Sequence, residues 1–343
     1  MISATHVPAR RGFTLVELLV VVVVIGMLAG LVFGAVSAAQ HSARENQTKG
    51  TVAKIHRILM RRMAEYRTRR VPQPDYTLLG ASPKTRTRLQ RAGDRVNCLR
   101  DLMRMEMPDR WTDVTGAANW TNFRSSGTLM PPDSAPSPRL LIDSTPSANV
   151  YFYRKLYDAA SSLDPSEAYA LINRHASAEL LYLIVMQDPE NAEQFRSNEI
   201  GDHDGDGLME FHDAWGRPIR FLRWPAGFIP ANGADSAFQT GDPSKDNDPF
   251  DALGVYNAFA YRLVPLIYSA GPDGIYDINI GTEGGATYAY KLTSGMIDPY
   301  AQDGNSPPRQ IGAPLDGDDV FTGRGPNGRL DHQDNIHNHQ SGM

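Results

Sequence analysis

Cysteine is nearly missing from this chain: Cys98 stands alone among 343 residues. An intramolecular disulfide and any cysteine-rich zinc or iron-sulfur site are therefore excluded. The G-x-S-x-G, H-E-x-x-H and G-x-x-x-x-G-K-[ST] patterns are lacking too, so the common serine-hydrolase, zinc-peptidase and phosphate-loop chemistries have no foothold. A lone thiol without a recognisable partner makes a poor nucleophile, and no enzyme is expected. Charge is modest at 21%, whereas 41% hydrophobic residues suffice for a core, and 30 Gly with 24 Pro require long loops. The length suits about two domains, or one domain with large insertions.

The net charge of −5 conceals a division along the chain. Residues 44–110 hold 17 Lys/Arg against 7 Asp/Glu, and residues 111–343 hold 15 against 31. A basic stalk precedes an acidic body.

No charge occurs from Leu18 to Ala39, a run of Leu, Val, Ile, Ala and Gly. About 20 such residues cross a hydrocarbon core of roughly 30 Å, so a transmembrane helix over 13–39 is expected. A secretory signal cut after Ser37-Ala38-Ala39 is the rival, but its apolar region would normally be about 7 to 15 residues. Glu17 separates the two readings, because an acid inside an apolar run is costly unless it has a partner and a task.

Arg10-Arg11-Gly12-Phe13-Thr14-Leu15-Val16-Glu17-Leu18 closely resembles the prepilin cleavage and methylation motif of type IV pilins and type II secretion pseudopilins. The resemblance implies a leader at 1–12, cleavage between Gly12 and Phe13 by prepilin peptidase, N-methylation of Phe13, and a role for Glu17 in methylation and assembly. An ammonium at Phe13 and a carboxylate at Glu17 are each expensive in lipid unless they neutralise one another, and pairing between neighbouring copies would set their register. An ordinary single-pass anchor with a chance acid is the alternative. The resemblance also implies an inner-membrane assembly platform, other copies or related pseudopilins, and membrane lipid as partners. Localisation follows: a bacterial inner membrane, single-pass, with the head in the periplasm or on the cell surface. The basic residues Arg44, Lys49, Lys54, Arg57, Arg61 and Arg62 oppose that orientation by the positive-inside rule. The motif is given precedence, and these residues are expected to form a solvated face or to pair with acidic faces of neighbours.

Gly26, Gly30 and Gly34 lie along one helix face and would admit a second helix, or simply reflect the frequency of glycine in membrane helices. Val52, Ile55, Leu59, Met63 and Tyr66 continue the helix as an amphipathic stripe over 40–71, until Pro72 and Pro74 end it.

Residues 72–165 read as a variable insertion broken by Pro131, Pro132, Pro136 and Pro138, with Met103, Met105 and Met107 as packing residues. Asp164, Pro165 and Glu167 signal a helix start, and Ala168 to Val185 is apolar enough to be a buried helix. Residues 166–290 would form the head.

Within it, Asp202-His203-Asp204-Gly205-Asp206-Gly207-Leu208-Met209-Glu210-Phe211-His212-Asp213 alternates oxygen ligands around a glycine turn, the pattern of a calcium loop. Asp202, Asp204, Asp206, the Leu208 carbonyl, Glu210 and Asp213 are the expected ligands. Aspartate at the twelfth position resembles dockerin loops, and Trp215-Gly216-Arg217-Pro218 forbids an exiting helix. An ion-free Asx-turn loop is the alternative. The Trp215–Pro218 turn and the later Ser269-Ala270-Gly271-Pro272-Asp273-Gly274 with Asp277 resemble the head of the major pseudopilin of type II secretion. By that resemblance Ser269, through its backbone, Asp273 and Asp277 would hold calcium. Ile219–Trp224 and Tyr261–Tyr268 read as strands.

Residues 291–343 form an extension, where Asp316–Asp319 and Asn327–Asp331 offer a looser cation site and His332, His337 and His339 are expected in a frayed tail, with transition-metal binding as the alternative. Basic residues 44–110 lack the aromatic interleaving of a nucleic-acid surface, so no nucleic acid is expected. The expectation is an α+β pilin-like fold: a long amino-terminal membrane helix, then a head with a buried helix and a small antiparallel sheet. Its function would be that of a calcium-stabilised filament subunit. A tethered module that does not polymerise, or a secreted calcium-dependent protein, remains the alternative.

Overall fold

The computed structural model describes residues 15–77, 82–116, 124–125, 128–129, 139–164, 168–229, 238–255, 260–280, 292–293, 296–300, 310–314 and 335–339. Gly12 and Phe13, the Pro165 and Glu167 helix signals, and the 316–319 and 327–332 segments lie outside these residues. The chain divides into two units, residues 1–46 and 47–343.

In the first unit the described residues belong to helix α1, Leu15–Glu65. Its leading segment has the apolar composition and length of a membrane span, and the side chains from Leu15 to Val36 stay largely exposed. No side chain lies within 4 Å of where a Cβ on Gly26, Gly30 or Gly34 would point. Among the described residues no other helix is long and apolar enough to cross a membrane.

The second unit is α+β. It opens with the remainder of α1, whose buried face is Thr48, Thr51, Val52, Ile55, Ile58, Leu59 and Met63, steps of three and four that place one stripe in the core. The expected basic surface is matched within the same chain. Lys54 Nζ lies 2.9 Å from Glu199 Oε1, Arg61 reaches Asp188 at 3.2 Å, and Arg57 and Arg62 donate to Gln194 and Gln187. The head answers the basic helix with its own acids and amides.

Residues 72–165 contribute more than loops. They form helices α2 (Arg88–Glu106), α3 (Trp111–Thr115) and α4 (Ser147–Ser162). Helix α2 starts on a capping box in which Thr87 and Gln90 satisfy each other's backbone N–H groups. It is buried from Val96 onward, polar residues included. Those charges are paired: Arg104 bonds Asp101 at 2.9 Å, and the other Asp101 oxygen accepts from the N–H groups of Leu140, Leu141 and Ile142. Arg223, fully buried, bonds Asp113 with both terminal nitrogens at 3.0 Å. Met103, Met105 and Met107 are core packing, as expected, and Cys98 is buried with its thiol pushed up to about 12 by burial and then by Asp101 and Asp94. That thiol stays protonated and inert.

The expected buried helix is two helices, α5 (Ala168–Arg174) and α6 (Ala176–Val185), separated at His175. After a one-turn helix α7 (Pro189–Ala192), the short antiparallel pair β3 (Ile200–Gly201) and β4 (Glu210–Phe211) follows. The central sheet has the order β5-β6-β9, all antiparallel: β5 Arg220–Leu222, β6 Leu266–Ser269 and β9 Ile336–His337. Two further antiparallel pairs, β1 (Arg124–Ser125) with β2 (Thr128–Leu129) and β7 (Leu292–Thr293) with β8 (Met296–Ile297), complete the strands among the described residues. Both expected strands exist but are shorter. Pro265 has no N–H to offer a ladder, and pairing begins immediately after it. The expectation of a frayed histidine tail is corrected: His337 pairs with Tyr268 in the sheet, and His337 and His339 are buried. Asn338 fixes this segment by accepting from Ile267 N–H and donating to the Pro265 carbonyl, both at 2.8 Å. A terminal strand that fills a sheet edge is held by the ladder whatever its polarity.

Candidate functional site

The ladder of β3 and β4 pairs Ile200 with Phe211 and Gly201 with Glu210, which closes residues 202–209 into a tight loop. Asp202 organises it, its two carboxylate oxygens accepting from Gly205 N–H at 2.6 Å and Gly207 N–H at 3.0 Å. Gly205 and Gly207 take φ of 79° and 90°, values that glycine adopts without steric cost. Asp206 Oδ1 accepts from Leu208 N–H at 2.7 Å, Glu210 Oε2 accepts from His203 N–H at 3.0 Å, and the buried Leu208 side chain pins the loop to the core. Helix α6 packs on β4 and carries Glu179 beneath the loop.

Glu179, Asp204 and Asp206 converge there, each offering a carboxylate oxygen within 4.8 Å of the other two. Glu179 is held by Trp111, whose indole N–H donates to Oε2 at 2.9 Å. Its Oε1, both oxygens of Asp204, Asp206 Oδ2 and Glu210 Oε1 are buried without a hydrogen-bond partner among the described residues. Burial, then the charge of Asp206, pushes the Glu179 carboxyl well above the usual range despite the Trp111 bond. Burial likewise raises Asp206 to about 7 and lifts Asp204, with neighbouring acids adding to each. Acids so placed share protons or a cation. The buried triad could hold a metal ion.

The expected ligands thus sort into groups. Asp204 and Asp206 join the cluster, Glu210 lies buried beside it in charge range of all three acids, and Asp202 shapes the loop. Asp213 is committed elsewhere: Oδ1 accepts from Trp215 and Arg217 N–H at 2.8 and 2.9 Å, and Oδ2 accepts from the Ser269 hydroxyl at 2.6 Å. This ties the Trp215–Pro218 turn, with Gly216 at φ 82°, to strand β6. Asp273 is exposed and accepts from Ile275 N–H at 2.9 Å, and Asp277 takes a positive φ of 46°. Arg217 reaches into the same loop, donating to the Gly271 carbonyl at 2.9 Å. Neither Asp273 nor Asp277 belongs to a three-carboxylate group among the described residues.

Glu179 is the site residue that sequence reasoning missed. The available signal was an acid inside Ala176–Val185, a segment otherwise apolar enough to be read as buried.

At the other end of the chain, Glu17 occupies the first turn of α1. Helices and small antiparallel sheets follow a helix long and apolar enough to cross a membrane, which suggests a single-pass anchor. Residues 8–33 match the family model described as the prokaryotic N-terminal methylation motif. With the apolar helix, this is consistent with a type IV pilin-like protein, and the motif implies processing by a prepilin peptidase and assembly with other pilins. No curated protein and no solved structure matches the chain.

Proposed function

We propose that this protein is a structural subunit of a type II secretion-like pseudopilus or a type IV pilus-like filament. The observation that carries the reading is the methylation-motif match at 8–33 together with a helix from Leu15 whose apolar side chains are left exposed up to Val36. In lipid those side chains are satisfied, and on release they would pack against like helices. Prepilin peptidase cuts between Gly12 and Phe13, and the new ammonium pairs with Glu17 of an adjacent copy. Residues 13–39 anchor the subunit in the inner membrane, 40–71 carry the helix outward, and 166–290, with the 72–165 and 291–343 segments, form a periplasmic or surface head. No catalytic residues are assigned.

Calcium is the proposed stabilising ion, because the side chains that converge at the loop, Glu179, Asp204 and Asp206, offer carboxylate oxygens and hard cations prefer oxygen. Mass spectrometry of the protein from its native membrane tests the assignment. N-methyl-Phe13 as the first residue is the expected result. An uncut leader, or Gln40 as the first residue, would overturn it.

A further inference from the structure

We infer that Glu179, Asp204 and Asp206 form a divalent-cation site of calcium type that clamps helix α6 to the 202–209 loop, with Trp111 as its positioning residue. The inference rests on the reading of the head as a cation-stabilised module, and it reassigns where the ion sits.

The acidic cluster alone would not carry this. The second observation is a set of buried oxygens with no hydrogen-bond donor. Glu179 and Glu210 are fully buried, Asp206 nearly so, and each keeps one oxygen without a partner while its other oxygen is taken by Trp111, His203 N–H or Leu208 N–H respectively. The Trp111 bond holds Glu179 through Oε2, and Oε1 is left without a donor. A buried carboxylate with an orphaned oxygen is costly, and here the acids come from two separate elements. Arg174, whose charge favours ionised Asp204, is exposed, and His212 Nε2 lies 3.9 Å from Glu210 Oε2.

The spacing admits a cation, since the three ligand atoms fall within 4.8 Å of one another. Calcium takes carboxylate oxygens at about 2.3 to 2.6 Å in flexible geometry, whereas magnesium demands a near-ideal octahedron and dehydrates reluctantly, so carboxylates brought together from two separate elements suit calcium better. Asp202 and Asp213, first and last in the sequence pattern, have both oxygens occupied by hydrogen bonds. The loop therefore supplies only part of a calcium loop, and the core helix supplies the remainder.

The test uses the full chain in detergent micelles, stripped with chelator, then titrated with calcium by calorimetry and by thermal melting, with magnesium in parallel. Wild type is expected to bind calcium at least tenfold more tightly than magnesium and to melt higher with millimolar calcium. Glu179→Gln and Asp204→Asn should each weaken calcium at least tenfold with far-ultraviolet circular dichroism unchanged, and Trp111→Phe several-fold. Asp273→Asn should titrate like wild type. Should Glu179→Gln prove unfolded, the variant of the half-buried loop residue, Asp204→Asn, decides on its own. Calcium lost in Asp273→Asn but kept in Glu179→Gln and Asp204→Asn would overturn this site while leaving the calcium reading intact. No calcium binding by wild type would remove both, and N-methyl-Phe13 in the same preparation would still support the filament assignment.

Discussion

A single histidine illustrates how far burial can displace the chemistry expected of a polar tail. His339 is almost completely buried, its Nε2 lies 3.2 Å from the Val264 carbonyl, and burial is the main cause of a pKa pushed from 6.5 down to about 4. The His56 ring adds to the lowering, while the bonds to Pro265 and Val264 oppose it. Below pH 6.5 an unfolded His339 takes up a proton and the folded one does not, so stability is held above 6.5 and lost as pH falls toward about 4. The full loss from this group is on the order of 3 kcal/mol. Chemical denaturation of the detergent-solubilised chain at pH 7, 5.5 and 4 checks it: the decline should be shallower in His339→Gln than in wild type. An equal slope would show that His339 is already protonable in the folded state. Position in the chain suggested solvent for this residue. Only the pairing of β9 with β6 revealed otherwise, because two strands nearly 70 residues apart carry no joint signal in local pattern.

Among the elements, α1 was legible because its periodicity is long and strong. Val52, Ile55, Leu59 and Met63 repeat at helical spacing, and all are buried. The contacts they make predict an ordering of effects. Leu59→Ala should destabilise the head by about 2 to 5 kcal/mol, since it leaves a cavity in the core. Lys54→Ala removes an ion pair whose lysine is partly exposed and should cost at most about 1 kcal/mol. Urea unfolding of both variants, followed by tryptophan fluorescence, reads the difference, and a Lys54→Ala loss as large as that of Leu59→Ala would sink the ordering. Helix α2 was not legible. Its buried face carries Asp94, Arg100, Asp101 and Arg104 among the apolar residues, so the apolar stripe that betrays a helix is interrupted. Those charges become core residues because Arg86, Asp248, Asp113 and the 140–142 backbone arrive to pair with them.

For the molecule as a whole, the basic and acidic halves of the sequence have two possible uses. The contacts Lys54–Glu199 and Arg61–Asp188 show that part of the asymmetry is satisfied within one chain. The filament reading therefore relies less on charge between subunits and more on the helix. Glu17→Ala is expected to leave head folding and membrane insertion unchanged while abolishing co-assembly with wild-type copies, measured by crosslinking in the native membrane. Crosslinked ladders undiminished by the substitution would argue for a tethered, non-polymerising module.

What the sequence by itself determined is local: the apolar run, the prepilin motif, the amphipathic continuation of the helix and the Asp-rich turn are each written in a few consecutive residues. Propensity, periodicity and turn chemistry act over that range, which is why those features could be read in advance. The tertiary structure alone decided that Glu179 meets Asp204 and Asp206, that Asp213 serves Ser269 rather than the cluster, and that His337 joins a sheet while His339 is buried. Each depends on which distant segment packs alongside, a choice made by core packing and by the need of buried polar groups for partners rather than by neighbours in the chain.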